Sequence, residues 1–245
     1  MPTTWYTANV IAITEIARKV KSFTIEIADV FSFDFKAGQF ITFDLPVGEK
    51  RVQRWKSYSI ANAPDGTNTL ELCIVHYENG PGSSYFFNEI TIGTELKCKG
   101  PEGGFVLPHL IDNDLVMICT GTGIAPFRSM LHEIVNKQIP CKKIHLIFGT
   151  RTLEDLLYYD ELIHFEKTIP GFKFDITLSR ENNLGNDPHF HKGYVHPVYL
   201  NEYKELRSDI QFFICGWSKM IDEAVENLFG ELKYDRKQIT YELYG

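Results

Sequence analysis

With 245 residues, 44% of them hydrophobic and 23% charged, the chain has an ordinary globular composition and is long enough for one large core or two smaller ones. A formal net charge of −7 argues against general affinity for nucleic acid, which requires a basic face. No apolar run approaches the roughly 18 residues needed to cross a bilayer, so membrane insertion is not expected.

The opening MPTTWYTANVIAITEIARK lacks the basic start and unbroken apolar stretch of a secretory signal, and a cytoplasmic address is expected. From there the chain reads as short strands, WYTANVIAIT, FTIEIA, GQFITFDL, SYSIAN and LELCIVHY, rich in β-branched and aromatic residues and punctuated by Gly, Pro, Asp and Asn. That spacing predicts an antiparallel barrel or sandwich. One helix interrupts it, beginning at Ser83 or Ser84 with a serine as N-cap. Before it, EKRVQRWK concentrates Lys50, Arg51, Arg54 and Lys56 in one segment of an acidic protein.

Beyond about residue 110 the rhythm becomes strand and helix in alternation: DLVMICT, a helix from about Ile124 to Asn136, KIHLIFGT, a helix within LEDLLYYDELIHFEK, and FKFDITLS. An irregular stretch, RENNLGNDPHFHKGYVHPVYL, precedes IQFFICG, a helix within SKMIDEAVENLFGEL, and QITYELY. Such alternation marks a parallel sheet covered on both faces. The predicted architecture is therefore two domains, residues 1–108 and 109–245. The five cysteines, Cys73, Cys98, Cys119, Cys141 and Cys215, show no C-x-x-C spacing, so neither a zinc site nor an iron–sulfur cluster is written here; buried free thiols are expected.

Three stretches carry chemistry. VMICTGTGIAPFRSML turns from a buried strand through Gly121 and Gly123 into a helix with Pro126 in its first turn, leaving backbone N–H groups and the positive end of the helix dipole for an anion. FFICGWSKM ends a second buried strand at Cys215–Gly216, which an open α/β sheet would place at the same edge. In KSYSIAN, Lys56 and Tyr58 point to one face of a strand and Ser59 supplies a hydroxyl at its end, while HYENGPGSSYFF offers a second Gly-rich helix start. Two anion pockets point to two phosphorylated ligands.

In this order the segments resemble the ferredoxin–NADP reductase superfamily over nearly the whole chain. Lys56-Ser57-Tyr58-Ser59 is similar to that family's Arg-x-Tyr-Ser/Thr flavin signature with Lys in place of Arg. Gly80-Pro81-Gly82-Ser83 is similar to its G-x-x-S phosphate turn, KGPEGGF to its G-P-x-G-x-F turn, GTGIAP to its nicotinamide-domain loop, and CGWSKM to its C-G-x-x-x-M. The resemblance implies a six-stranded antiparallel FAD barrel followed by an α/β NAD(P)-binding domain, with no metal. It implies FAD contacts from Arg54, Lys56, Tyr58, Ser59, Ile74, His76, Gly82, Ser83, Ser84 and Tyr244. Nucleotide contacts fall to Thr120, Gly121, Thr122, Gly123, Pro126, Arg151, Ser179, Arg180, Cys215, Gly216 and Met220. Ser59, Cys215 and Glu242 are the implied catalytic residues. Ser179–Arg180 favours NADPH over NADH, because a guanidinium suits a phosphate dianion.

The activity so implied is electron transfer from NADPH through FAD to a one-electron carrier such as ferredoxin or flavodoxin. The same residues would serve the reductase component of a multicomponent oxygenase. A reductase subunit of a dihydroorotate dehydrogenase fits less well, since the cysteine cluster of that type is missing near residue 245. A non-catalytic flavin-binding interaction or sensor module is the reading from another class, and the presence of both Gly121–Pro126 and Cys215–Gly216 speaks against it.

Overall fold

The computed structural model describes residues 4–244. The chain forms two compact units, one running through Val106 and including Ala125–Glu133, the other made of Leu107–Ile124 and the chain from Ile134 onward. Among the described residues no helix is long and apolar enough to cross a membrane.

The first unit contains β1 (Tyr6–Ala17), β2 (Val20–Ile27), β3 (Phe40–Asp44), α1 (Arg51–Arg54), β4 (Trp55–Ser59), β5 (Thr69–Val75), α2 (Pro81–Asn88) and β6 (Glu95–Glu102). Its strands form one antiparallel six-stranded sheet in the order β4-β3-β6-β1-β2-β5. An Ile60–Leu72 bridge joins the end of β4 to β5 and closes the barrel. Alternation along the strands sends Phe23, Ile25 and Ile27 of β2, Ile41 and Phe43 of β3 and Leu70 and Leu72 of β5 inward, where Phe86 of α2 joins them.

The predicted serine cap of α2 is corrected. The helix begins at Pro81 with Gly80 as N-cap, because proline at the first position has its φ already set and lacks only an N–H that the helix would leave unpaired. The basic run is also partly helical, as α1, which periodicity over four residues cannot reveal.

The second unit contains β7 (Asp114–Thr120), a 3₁₀ turn (Gly121–Ile124) leading into α3 (Ala125–Lys137), β8 (Ile144–Thr150), α4 (Tyr159–Thr168), β9 (Phe172–Leu178), β10 (Phe190–Lys192), α5 (His196–Glu202), β11 (Ile210–Trp217), α6 (Ser218–Val225) continued by a π turn (Glu226–Glu231), and β12 (Ile239–Tyr244). All its strands are parallel, in the order β10-β9-β8-β7-β11-β12. The chain thus starts in the middle, builds outward through β8, β9 and β10, then returns to add β11 beside β7. The point where strand order reverses lies between β7 and β11, and open sheets bind ligands there. The stretch read as irregular holds β10 and α5, each too short for a periodic signal.

A buried polar cluster pins α5 to this sheet. His145 of β8, 2% exposed, lies between the Tyr203 hydroxyl at Nδ1 (2.6 Å) and Asp175 of β9 at Nε2 (2.6 Å). His191 of β10 bonds the other oxygen of Asp175, and Lys173 pairs with Glu202 nearby. Burial lowers the His145 pKa below the ordinary histidine range, outweighing the pull of Asp175. Burial also pushes the Asp175 carboxyl up, but hydrogen bonds from the two histidines overcome it and hold the group at about 2. The neutral imidazole satisfies every partner: Tyr203 donates to Nδ1, and Nε2–H donates to the carboxylate.

Because the unfolded chain takes up a proton at this histidine more readily than the folded one, stability falls as pH drops below about 6.5. The Asp175 contribution is lost further down, between its ordinary range and about 2. Thermal unfolding of the wild type is expected to show a lower midpoint at pH 5 than at pH 7, with part of that slope gone in His145→Gln. Tyr203→Phe should cost about 1–3 kcal/mol at pH 7 by orphaning a buried nitrogen.

Candidate flavin and nicotinamide sites

In the first unit the candidate flavin site is set by where β4 meets the start of α2. Register pairs Lys56 with Phe43 and Tyr58 with Ile41, so both point to the same face of the sheet as those two core residues, while Trp55 and Ser57 take the other face. Tyr58 packs edge-on against Phe86 of α2 (5.1 Å between ring centroids) and beside Phe43, and burial pushes its phenol well above the ordinary tyrosine range. A Cβ added to Gly82 would lie 2.8 Å from Lys56 Cγ and 3.0 Å from Tyr58 Oη. The helix start therefore reaches the Lys-x-Tyr pair only because residue 82 has no side chain.

No side chain caps the N-terminus of α2 and no acidic residue occupies its first turn, so the positive end of its dipole stands beside a lysine. The Ser83 hydroxyl is spent within the turn, accepting from the Tyr77 N–H and donating back to a carbonyl of Tyr77 or Gly80, each at 3.1 Å. Ser84 N–H closes the first helical turn onto Gly80 O. This cradle suits a diphosphate.

Other predicted flavin residues are placed differently. Arg54 is paired through both guanidinium donors with Asp44, which shares the face of Trp55. Its fork is already filled, leaving Lys56 as the cation at the cradle. Arg51 lies over the Trp55 ring at 4.7 Å. Ile74 is 2% exposed within the barrel core, so its side chain is packing material. His76 stacks on Phe87 at 4.9 Å, with Lys21 Nζ 4.7 Å from the same ring. Ser59 is buried at the end of β4.

In the second unit the candidate nicotinamide site lies at the C-terminal ends of β7 and β11. A Cβ on Gly123 would come within 2.5 Å of the Cys215 carbonyl, and one on Gly216, at φ +140°, within 2.5 Å of Thr120 Oγ1. Two glycines thus let the turn after β7 lie directly against the end of β11. Pro126 is buried near the start of α3, whose N-terminus also has neither a capping side chain nor an acidic first turn. Thr120 Oγ1 is buried without a hydrogen-bond partner in the protein, an orphaned polar atom of the kind a bound ligand satisfies.

Parallel pairing of β11 with β12 sets Cys215 beside Glu242 and Trp217 beside Tyr244, so the C-terminal strand delivers the predicted acid to the predicted cysteine. Burial raises the Cys215 thiol far above the ordinary range and the nearby Glu242 charge adds to it, against bonds from Tyr244 and the Gly216 backbone. The thiol stays neutral. Met220 is 8% exposed in the core cluster with Ile214 and Ile221, so it supports the site from beneath.

At the neighbouring strand ends, Arg180 N–H donates to Arg151 O (2.8 Å) and Ser179 N–H to Thr150 O (3.0 Å). Both arginines are exposed. The Glu181 carboxylate accepts from the Leu153 and Asn182 backbones, tying the two loops together. Two exposed arginines thereby follow the ends of adjacent strands, their backbones joined. One further residue carries no signal in the sequence pattern, because its partners lie more than fifty positions away: Arg128 donates to Ala61 O and Glu71.

The family model of the oxidoreductase FAD-binding domain matches residues 7–107, and that of the oxidoreductase NAD-binding domain matches residues 117–226. Ferredoxin–NADP reductase B of Sorangium cellulosum is 32% identical over 244 residues, covering 98% of this chain and 97% of that protein. The reductase component of propane 2-monooxygenase from Mycolicibacterium goodii is 28% identical over 89% of this chain, which spans 61% of it. A ferredoxin NADP⁺ reductase from Neisseria gonorrhoeae, solved with bound FAD and NADP, matches with a TM-score of 0.78 at 26% identity over 98% of each chain. An Amycolatopsis cytochrome P450 reductase matches at 0.85 and 25% identity, over 99% of this chain and 70% of that one.

A flavin barrel followed by a nicotinamide-nucleotide sheet defines an FAD-dependent NAD(P)H oxidoreductase. The chain belongs to the ferredoxin–NADP reductase superfamily.

Buried, neutral thiols are poor nucleophiles. In the folded protein, iodoacetamide followed by mass spectrometry is expected to label Cys141, which is half-buried, well before Cys73, Cys98, Cys119 or Cys215.

Proposed function

We propose that the chain takes electrons from NADPH and delivers them to a separate one-electron carrier protein of the ferredoxin or flavodoxin type. The observation that carries this reading is the Sorangium relative, matched end to end, combined with a paired-arginine edge suited to a 2′-phosphate. FAD, when bound, supplies the exchange between a two-electron hydride and single electrons.

The chain's own residues bind and orient. Lys56 Nζ and the Gly82 and Ser83 backbone hold the flavin diphosphate, with the Ser84 hydroxyl as a further donor. Lysine acts there as a point charge, without the bidentate grip of arginine. Tyr58 gives the flavin ring an aromatic surface, and Ser59 Oγ a hydrogen-bond partner at its reactive edge. The Thr120–Gly123 turn receives the nucleotide phosphates, with Thr120 Oγ1 gaining the partner it lacks in the protein. Cys215 packs against the nicotinamide as a neutral, compact wall, and Glu242 holds a carboxylate beside it. Most of the rate gain comes from alignment.

Four measurements check this reading. Acid extraction of the yellow chromophore should give FAD; FMN alone would overturn the flavin assignment. Anaerobic bleaching should favour NADPH over NADH, and Arg151→Ala with Arg180→Ala should erase the preference by raising the NADPH KM about tenfold or more while sparing NADH. Reconstitution with a ferredoxin, a flavodoxin or an oxygenase component identifies the acceptor, and a reductase for an oxygenase would reduce only the last. Cys215→Ala should slow bleaching more than it weakens nucleotide binding.

A further inference from the structure

Arg151 and Arg180, both exposed, open two loops of the second unit that are bonded to each other. Ser179 N–H donates to Thr150 O at 3.0 Å and Arg180 N–H to Arg151 O at 2.8 Å, which joins the loops at their roots, where β8 and β9 end. Beyond that point one side chain carries the junction on. Glu181 accepts at Oε2 from the Leu153 N–H (3.3 Å) and at Oε1 from the N–H groups of Asn182 (3.0 Å) and Asn183 (3.4 Å). One carboxylate oxygen is thus engaged by each loop.

Each loop is also ordered within itself. After Arg151, a 3₁₀ turn (Leu153–Asp155) is closed by Asp155 Oδ2, which accepts from Thr152 N–H (3.2 Å) and Thr152 Oγ1 (2.8 Å), while Thr150 Oγ1 donates to Asp155 O (3.2 Å). After Arg180, Asn183 Oδ1 accepts from Gly185 N–H at 3.1 Å. The Leu153 N–H is the first donor of its turn, which the turn itself cannot satisfy, and Glu181 meets it from the other loop. Bonds from Leu153, Asn183 and Asn182 lower the Glu181 pKa below the ordinary carboxylate range, so the group is ionised at neutral pH.

A carboxylate one residue from Arg180 works against an anionic ligand, since like charges repel. What it gives in return is geometry. Two arginines serve one phosphate only if both guanidinium groups can reach it together, and loops ordered beforehand reduce what binding must order. We propose that Glu181 is a positioning residue for nucleotide selection: by tying the loop after β8 to the loop after β9, it holds Arg151 and Arg180 ready for one 2′-phosphate. The inference rests on the proposed reading of these arginines as the 2′-phosphate contacts, and it assigns Glu181 no contact with the nucleotide. Charge and geometry predict opposite outcomes here. Acting only through its charge, Glu181 would weaken 2′-phosphate binding and its removal would tighten it. As the tie, its removal loosens that binding.

The test compares flavin-loaded wild type, Glu181→Ala, Glu181→Gln and Leu153→Pro. The last cuts the tie from the other loop and leaves the carboxylate in place. Leu153 is the first residue of its turn, where the fixed φ of proline fits, and Thr152 before it is extended at φ −137° and ψ 171°, as proline prefers. Calorimetric binding of 2′,5′-ADP and of 5′-AMP is measured, then steady-state turnover of NADPH and NADH with ferricyanide. Glu181→Ala and Leu153→Pro are each expected to weaken 2′,5′-ADP binding and raise the NADPH KM about fivefold or more, with 5′-AMP binding, the NADH KM and both kcat values unchanged. Glu181→Gln, whose amide oxygen still accepts, should recover part of the loss. Unchanged or tighter 2′,5′-ADP binding in Glu181→Ala, or an equal loss for 2′,5′-ADP and 5′-AMP, would overturn the proposal. If Glu181→Ala does not fold, Leu153→Pro and Glu181→Gln decide by the same measurements. A wild type that binds 2′,5′-ADP no better than 5′-AMP would instead overturn the reading of the two arginines on which the proposal rests.

Discussion

Backbone approach closer than a side chain permits is the constraint on which both candidate sites depend. At Gly82 the start of a helix comes against Lys56 and Tyr58, and at Gly123 and Gly216 a turn and a strand end interlock. A methyl group at any of these places would meet atoms at 2.5–2.8 Å. The approach matters because the ligands are anions and the protein as a whole is acidic, at −7. Attraction must come from local fields, and the uncapped helix starts supply them at short range. Glycine here serves electrostatics as much as conformation.

Much of this was legible in the sequence. Strand alternation gave the first sheet, whose outer face meets water, and short apolar runs alternating with helix-period segments gave the second, whose central strands are buried on both faces. Gly-rich turns before helices marked the two candidate sites, since a side chain at Gly82 or Gly123 would meet neighbouring atoms. Elements of three to seven residues, α1, β10 and α5, left no period to read. Serine is a common cap and draws the expected start of α2 to Ser83 or Ser84, whereas Pro81 at the first helical position sets it at Gly80.

Side-chain pairing was less accessible, and for one physical reason: partners distant in sequence are chosen by the fold. Arg54 stands in a basic run, yet Asp44, ten residues earlier and on β3, fills its fork. Ile74 and Met220 stand within family-like segments yet point into cores. The His145–Asp175–Tyr203 cluster and the Arg128–Glu71 bond join residues 30 to 58 positions apart, and no local pattern announces them. Glu242 was the opposite case, a residue near the end of the chain brought beside Cys215 simply by strand register.

That register has a small mechanical origin. Before β12, Asp235 caps the turn Arg236–Gln238, and Gln238 Nε2 donates to the carbonyls of Arg207 and Ile210, clamping the entry of the last strand to the entry of β11. Side chains alternate along a strand, so a slip of one residue at this clamp would exchange the two faces of everything downstream. Leu243 would then stand where Glu242 stands, and an apolar residue would replace a carboxylate beside the thiol. The charge beside the Cys215 thiol is thus governed four residues upstream, about 13 Å at about 3.3 Å per residue, by one glutamine amide at the entry of the strand.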